Sequence, residues 1–402
     1  MKLKILKLLD RAVEYSIYGM IFFIPISIAA LGVFAGFTIM FFLIKKAVSL
    51  DFSSLKSNKI PALLLLFFFI FMAMSLINSG PLIKKSIWAL LIKWGRFPFL
   101  LWAIVDTFQD KKRILRAVLV FLFSATLVAL SVFTQKFFGF EFLRGRTLIN
   151  SSYPITGPFK NQNSLAAFLS SLTPLFLSFS LWRQRNIFIR LILYSVASIL
   201  LISLYWTFCR GGWVGLTAGL FFILLFFNYQ RLKKKFWVLF SFTYIFCIPL
   251  IALALTCFRS RGDGDRFSLM HGAWRMIKEN PYFGKGVGTF MDYCASYTNN
   301  YGVYYAHNCY FQIWAESGIF SLLAFLLFVG YLIYLSIRVI LKTPQSLYSY
   351  ILIGLTASLV SYLTHSFFEV HLYSFQLSFI FWIILGLMVS LTSVLNKDDA
   401  HK

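Results

Sequence analysis

The feature that most constrains this chain is a succession of apolar runs, each about 20 residues long with few charges, the length a helix needs to cross ~30 Å of hydrocarbon. They fall at 13–30, 32–48, 60–77, 86–105, 114–134, 163–182, 187–208, 212–228, 236–257, 309–337, 347–366 and 372–394. Unpaired backbone groups are too costly in lipid for such runs to be anything but helices. The expectation is an all-α polytopic membrane protein with about twelve transmembrane helices, residues 1–402 forming a single transmembrane domain. A chain that is 59% hydrophobic and 19% aromatic agrees, since both shares exceed those of a soluble domain.

The net charge of +24 would suit nucleic acid if it lay on one face. Instead the Lys and Arg residues sit in short clusters between apolar runs, the pattern of segments retained in the cytoplasm, so membrane lipids rather than nucleic acid are the expected partner. With the N-terminus inside, 23 of the 38 basic residues fall on inner segments, which places both termini in the cytoplasm. The opening KLKILKLLDR has no small-residue cleavage site and reads as a cytoplasmic flank, not a removable signal. The five cysteines have no metal-ligand spacing. Cys294 and Cys309 both fall outside, and a disulfide between them is left open.

The other 15 basic residues have no topological reason to face outward. Lys84, Lys85 and Lys136 are accounted for by snorkelling to lipid phosphates. The rest make a cationic outer surface at the membrane boundary, which implies an anionic ligand. Two outward segments are substantial: a smaller loop at 135–161, with Arg144, Arg146 and Lys160, and a main loop at 258–308, expected to hold short amphipathic helices and the active site.

Arg210 lies in FCRGGW, where Gly211 and Gly212 permit a tight turn and clear space around a guanidinium whose planar fork suits phosphate. In GDGDRFSLMHGAWRMIKENPYF, Asp263 or Asp265 can cap a helix that Asn280 and Pro281 close. Leu269, Met270, Ala273, Trp274 and Ile277 form its apolar face, with His271, Arg275 and Lys278 opposite. Arg266 sits in its first turn, either seating an anion with the free N–H groups or pairing with Asp263 or Asp265. GKGVGT lacks the spacing of a phosphate loop and reads as a flexible turn. His307 and Asn308 stand at the entrance to the next span, and Asn308, Gln312 and Glu316, four apart, form a polar stripe down it. An imidazole at that boundary is suited to take a proton from a hydroxyl. His365 and His371, flanking the last outer turn with Glu369, read as interfacial packing.

CRGGW, DRFSLMHGAWRMIKENPYFGKGVGTF and AHNCYFQIWAESGIFSLL, in that order, resemble the O-antigen ligase and O-antigen polymerase family of bacterial membrane proteins, with Cys209 where that family commonly has Ser. The resemblance implies a metal-independent, inverting glycosyltransferase without cofactor, in the bacterial inner membrane with its active site facing the periplasm. Its donor would be a glycan on undecaprenyl diphosphate and its acceptor a sugar hydroxyl, on lipid A core for a ligase of lipopolysaccharide biosynthesis. By that analogy Arg210 and Arg266 bind the diphosphate, His307 accepts the hydroxyl proton, Asn308 and Glu316 orient the histidine or the sugar, and Arg144, Arg146, Lys160 and Arg275 add charge for substrate. A polymerase joining lipid-linked repeat units is the near alternative. A transporter of an anionic lipid or solute is the alternative of a different kind.

Overall fold

The computed structural model describes residues 2–147, 154–182, 187–227, 264–298, 305–343 and 345–400. It is a bundle of long helices: α1 (Lys2–Phe23), α2 (Ile28–Ser49), α3 (Lys59–Asn78), α4 (Gly80–Thr107), α5 (Lys111–Phe138), α6 (Gln162–Leu181), α7 (Ile187–Tyr205), α8 (Arg210–Phe227), two shorter helices α9 (Gly264–Glu279) and α10 (Phe290–Tyr297), then α11 (Cys309–Lys342), α12 (Leu347–His365) and α13 (Phe375–Ala400). The strands among the described residues are a two-residue pair, β1 (Phe140–Glu141) and β2 (Arg146–Thr147), antiparallel with Phe140 opposite Thr147.

Ten helices among the described residues are long and apolar enough to cross a membrane, against the twelve expected. The first expected run is cut by a turn over residues 24–27, where Pro25 cannot continue α1 and the Ser27 hydroxyl caps α2 by accepting from Ala30 N–H at 3.2 Å. α1 therefore starts earlier and carries Lys7, Asp10, Arg11 and Glu14, too many charges to be counted with the ten. The run at 236–257 lies outside the described residues, as do Arg259, Arg261 and Asp263. Elsewhere the helix starts are signed by local chemistry: Asp110, Asn161, Asn308 and Ser346 each cap a helix through a side-chain oxygen.

The centre of the bundle is α13, with 94% of its span buried, while α2 and α7 at the rim have 22%. α6, α8 and α12 pack against one another through small residues. A methyl group on Gly215 or Gly219 would lie 2.7 or 2.8 Å from the backbone oxygens of Ser361 and Ala357, so these backbones touch. From the same α12 segment Ser361 Oγ donates to Ser170 O of α6 at 2.8 Å. Close backbone approach and hydroxyl-to-carbonyl bonds are what hold helices together where lipid removes the hydrophobic drive. At the other end of the bundle Asp106 binds Lys45 at 2.9 Å and Lys46 at 2.5 Å, and Asp10 binds Lys45 at 2.5 Å and Arg113 at 2.6 Å, so these cations are neutralised by acids.

One helix is interrupted. Gly318 in α11 has φ 81° and ψ 171°, a conformation essentially confined to glycine. The break frees backbone groups, and the PYFGKGVG run fills them: Lys285 and Gly286 N–H donate to Ala315 O and Glu316 O at 3.0 and 2.9 Å, and Ile319 N–H donates to Pro281 O at 3.0 Å. On its other side the run is tied to α3, with Asn78 Nδ2 donating to Gly284 O at 2.9 Å and Val287 N–H to Ser75 Oγ at 3.1 Å. The alternating glycines thus allow close docking between two helices and do not make a flexible turn. A methyl group at Gly318 would sit 2.0 Å from Tyr282 O, whereas one at Gly330 in the same helix meets nothing within 4 Å. Gly318→Ala is expected to lower the melting temperature of the detergent-solubilised protein by several degrees, a loss of more than ~1 kcal/mol, and Gly330→Ala to leave it unchanged or raise it slightly.

Candidate active site

The turn between α12 and α13 brings together residues that are far apart in sequence. Its Glu369 accepts from Arg266 Nη2 at 2.9 Å and Asn163 Nδ2 at 2.5 Å through one carboxylate oxygen, and its other oxygen meets His307 Nδ1 at 3.1 Å. Three elements converge on this carboxylate: the first turn of α9, the first turn of α6 and the residues leading into α11. The Glu369 side chain is only 12% exposed. Burial alone would raise its carboxyl, but the hydrogen bond from His307 and the charges of His307 and Arg266 outweigh it and hold the group below its ordinary value of 4.5.

An ionised Glu369 fixes the neighbouring imidazole. In a neutral imidazole, Nδ1 carries the proton donated to the carboxylate and Nε2 keeps a lone pair that can accept a proton. The His307 side chain is 25% exposed, open enough to be reached. Its backbone is held at φ 50°, a left-handed conformation unusual for histidine. The neighbours hold it there: Ala306 N–H donates to Gln312 Oε1 at 2.8 Å, and Asn308 Oδ1 caps α11 by accepting from Tyr310 and Phe311 N–H, both at 3.0 Å.

Arg210 is the first residue of α8, exposed and with no hydrogen-bond or ion-pair partner among the described residues. A methyl group on Gly211 beside it would lie 2.9 Å from His365 Cδ2 and 3.0 Å from Phe368 Cβ, so the α8 start abuts the same turn as Glu369. His365 and His371 are buried with ring centroids 4.4 Å apart, and His365 Nε2 faces Cys209 Sγ at 3.6 Å. Burial first, and the adjacent His365 second, lower the His371 imidazole well below the usual histidine value.

The other residues singled out in the sequence are placed as follows. Glu316 is 1% exposed and far down the stripe from His307: its carboxylate accepts from Gly288 N–H at 2.8 Å, Phe290 N–H at 3.1 Å and Gln312 Nε2 at 2.8 Å. The polar stripe holds backbone, and the carboxylate that meets His307 is that of Glu369. Arg144 donates to Ile26 O at 2.6 Å and Pro158 O at 3.1 Å, and Arg146 to Phe159 O, so both fasten the 135–161 loop. Burial, then the nearby Arg146, lower the Arg144 guanidinium from its ordinary value. Lys160 is exposed, and Arg275, also exposed, reaches Tyr297 O at 3.4 Å. The face of α9 that packs is Leu269, Ala273, Met276 and Ile277, while Trp274 stays 38% exposed. Cys294 and Cys309 are both buried free thiols.

Residues 195–326 match the family model described as O-antigen ligase. That stretch contains all three motifs, with Arg210, Arg266 and His307, so the resemblance to the O-antigen ligase family holds; Asn163 and Glu369 lie outside it. The chain is also similar to the teichuronic acid biosynthesis protein TuaE of Bacillus subtilis (strain 168), 25% identical over 277 residues that cover 61% of this chain. The match spans 53% of that protein, about half its length.

Because the folded carboxyl is depressed, its contribution to stability is present above the ordinary carboxylate value of 4.5 and lost as pH falls through the lower folded value. Glu369→Gln should cost roughly 2–3 kcal/mol at neutral pH, less than a fully buried pair since Arg266 stays 23% exposed. Melting curves of the two proteins between about pH 3 and 7 should converge at the acid end; parallel curves would show that the carboxylate is not ion-paired.

Proposed function

We propose that this protein transfers a glycan from undecaprenyl diphosphate to a sugar hydroxyl at the periplasmic face of the inner membrane, as an O-antigen ligase does. The observation that carries the reading is the single buried carboxylate shared by His307 and Arg266, which supports taking the imidazole as a base and the guanidinium beside it as an anion-binding cation.

In this reading the acceptor hydroxyl lies against His307 Nε2 and attacks the anomeric carbon from the face opposite the diphosphate. A new carbon–oxygen bond forms as the bond to the diphosphate oxygen breaks, and its electron pair leaves on the phosphate. The hydroxyl proton goes to Nε2, and the imidazolium is stabilised through Nδ1–H by Glu369, which is therefore a positioning residue. Arg210, without a partner among the described residues, and the Arg266 guanidinium take up the charge growing on the leaving diphosphate. Inversion at the anomeric carbon follows from a single displacement.

Lipid A core is the acceptor under the ligase reading. The teichuronic acid relative favours a second reading, in which the acceptor is itself a lipid-linked glycan and the product a longer chain. Reconstitution with lipid-linked donor and either lipid A core or a second lipid-linked unit separates the two by which product grows.

His307→Ala, Arg210→Ala and Arg266→Ala are each expected to reduce transfer by about 100-fold or more while the protein remains in the membrane at wild-type level. A transporter would keep most of its flux in His307→Ala. Wild-type transfer rates in any of the three would remove the corresponding role.

A further inference from the structure

A second cationic feature lies on α4, apart from Arg210 and Arg266. Residues 89–94 of that helix form a π-helical turn closed by Gly95 N–H to Leu90 O at 2.8 Å, a local widening that re-aims side chains and often marks a functional position. It turns Trp94 inward, 3% exposed and against Tyr373 at 5.4 Å between ring centroids. It turns Lys93 outward over Trp88, 5.3 Å from the ring centroid.

Arg96 follows at once. Its Nε donates to Lys93 O at 3.0 Å and its guanidinium lies 4.8 Å from the Phe375 ring centroid, and no carboxylate among the described residues pairs with it. The Lys93 carbonyl and the rings of Phe97, Phe375 and Phe379 hold the guanidinium in place without cancelling its charge, which is free to meet an anion. Beside it opens a cavity of about 330 Å³ whose wall includes Trp88, Lys93, Arg96, Tyr305 and Tyr373. Glu316 also reaches this wall, with its oxygens already held by Gly288, Phe290 and Gln312. Two features give the cavity a direction. One end is lined by Tyr305, two residues before His307 in the chain and 5.9 Å between ring centroids from Tyr373. The other is bordered by Trp88 and Ile92, 52% and 53% exposed on a membrane-spanning helix, so it opens where lipid would lie.

We propose that this cleft is the seat of the second substrate: Arg96 and Lys93 bind the phosphate of a lipid-borne glycan that enters sideways past Trp88 and presents its sugar hydroxyl to His307. This rests on the second form of the glycan-transfer reading, in which the acceptor is itself a lipid-linked glycan, and extends it. Arg210 and Arg266 hold the donor diphosphate from the α8 and α9 side, and the cleft holds the acceptor from the α4 side. The exposed tryptophan beside Lys93 suits the junction between a phosphate and a hydrocarbon chain.

The test counts lipids. The full chain in phosphatidylcholine nanodiscs is titrated with undecaprenyl diphosphate, and bound molecules are counted by native mass spectrometry. Two per protein are expected, falling to one in the Lys93→Gln/Arg96→Gln double variant and to the other one in Arg210→Ala/Arg266→Ala, with Arg96→Lys retaining both. The exposed Lys93→Gln alone should weaken the second binding event about tenfold even if the double variant folds poorly, since one phosphate-contacting charge is lost. Wild-type stoichiometry and affinity in the Lys93→Gln variants would overturn the cleft and leave the donor site standing. Loss confined to those variants, with Arg210→Ala/Arg266→Ala unaffected, would support the cleft and overturn the donor assignment. Inorganic diphosphate should displace lipid from neither site; displacement from the cleft as effective as that by unlabelled lipid would overturn its assignment to a lipid-borne phosphate.

Discussion

Everything near the candidate site depends on how a broken membrane helix satisfies its backbone. At Gly318 the chain gives up part of the α11 hydrogen-bond ladder, a costly act in a medium without water. The PYFGKGVG run repairs it with its own N–H groups, and Glu316 fastens the far end of the run by accepting from Gly288 and Phe290. This repair joins the 281–288 run to α11 at a fixed register. Gln312, one turn above Glu316, extends the same hold to Ala306, and Asn308 caps the helix, so the residue between them has little freedom left. His307 is that residue.

A histidine with a left-handed backbone is an expensive way to start a helix, and the cost is borne by contacts that would otherwise have no reason to be so complete. The strain aims the ring at Glu369, which meets it from a turn 62 residues later in the chain. The same carboxylate fixes Arg266 and is itself held by Asn163. Desolvating an acid there is tolerable only because two cationic or polarised partners share it, and their sharing is what sets the imidazole tautomer. The site is thus pre-organised from both sides, backbone below and carboxylate behind.

Much of the bundle is legible in the sequence, because hydropathy reports length directly and the caps are single residues: Asp110, Asn161, Asn308 and Ser346 stand where helices begin. The first turn is hidden because Pro25 and Ser27 sit inside a run that carries no charge from Tyr15 to Ile44. Arg210, Arg266 and His307 are legible because polar groups in ordered motifs stand out against lipid-facing sequence. Glu369 is not, since its meaning lies in partners brought by three other elements. The signal that could have found it is the imbalance of 14 acidic to 38 basic residues, in which an acid on an outward turn is scarce and has several cations competing for it. The Asn308, Gln312 and Glu316 stripe is visible as a stripe, yet its partners are backbone N–H groups that no side-chain pattern announces. The alternating glycines mislead for the same reason: conformational freedom in sequence becomes close contact in the fold.

The distribution of unneutralised cations gives the arrangement its logic. At the opposite end of the bundle Lys45, Lys46 and Arg113 are matched by Asp10 and Asp106, so charge there serves structure. Arg266, which shares Glu369 with His307, is matched by that acid, whereas Arg210 and Arg96 have no acid paired with them among the described residues, and they stand on different helices. An enzyme with one anionic substrate would need one such place. If His307 is the base, as proposed, two separate cationic places beside it would suit a reaction in which both reactants are tethered to lipid phosphate and neither diffuses in from water.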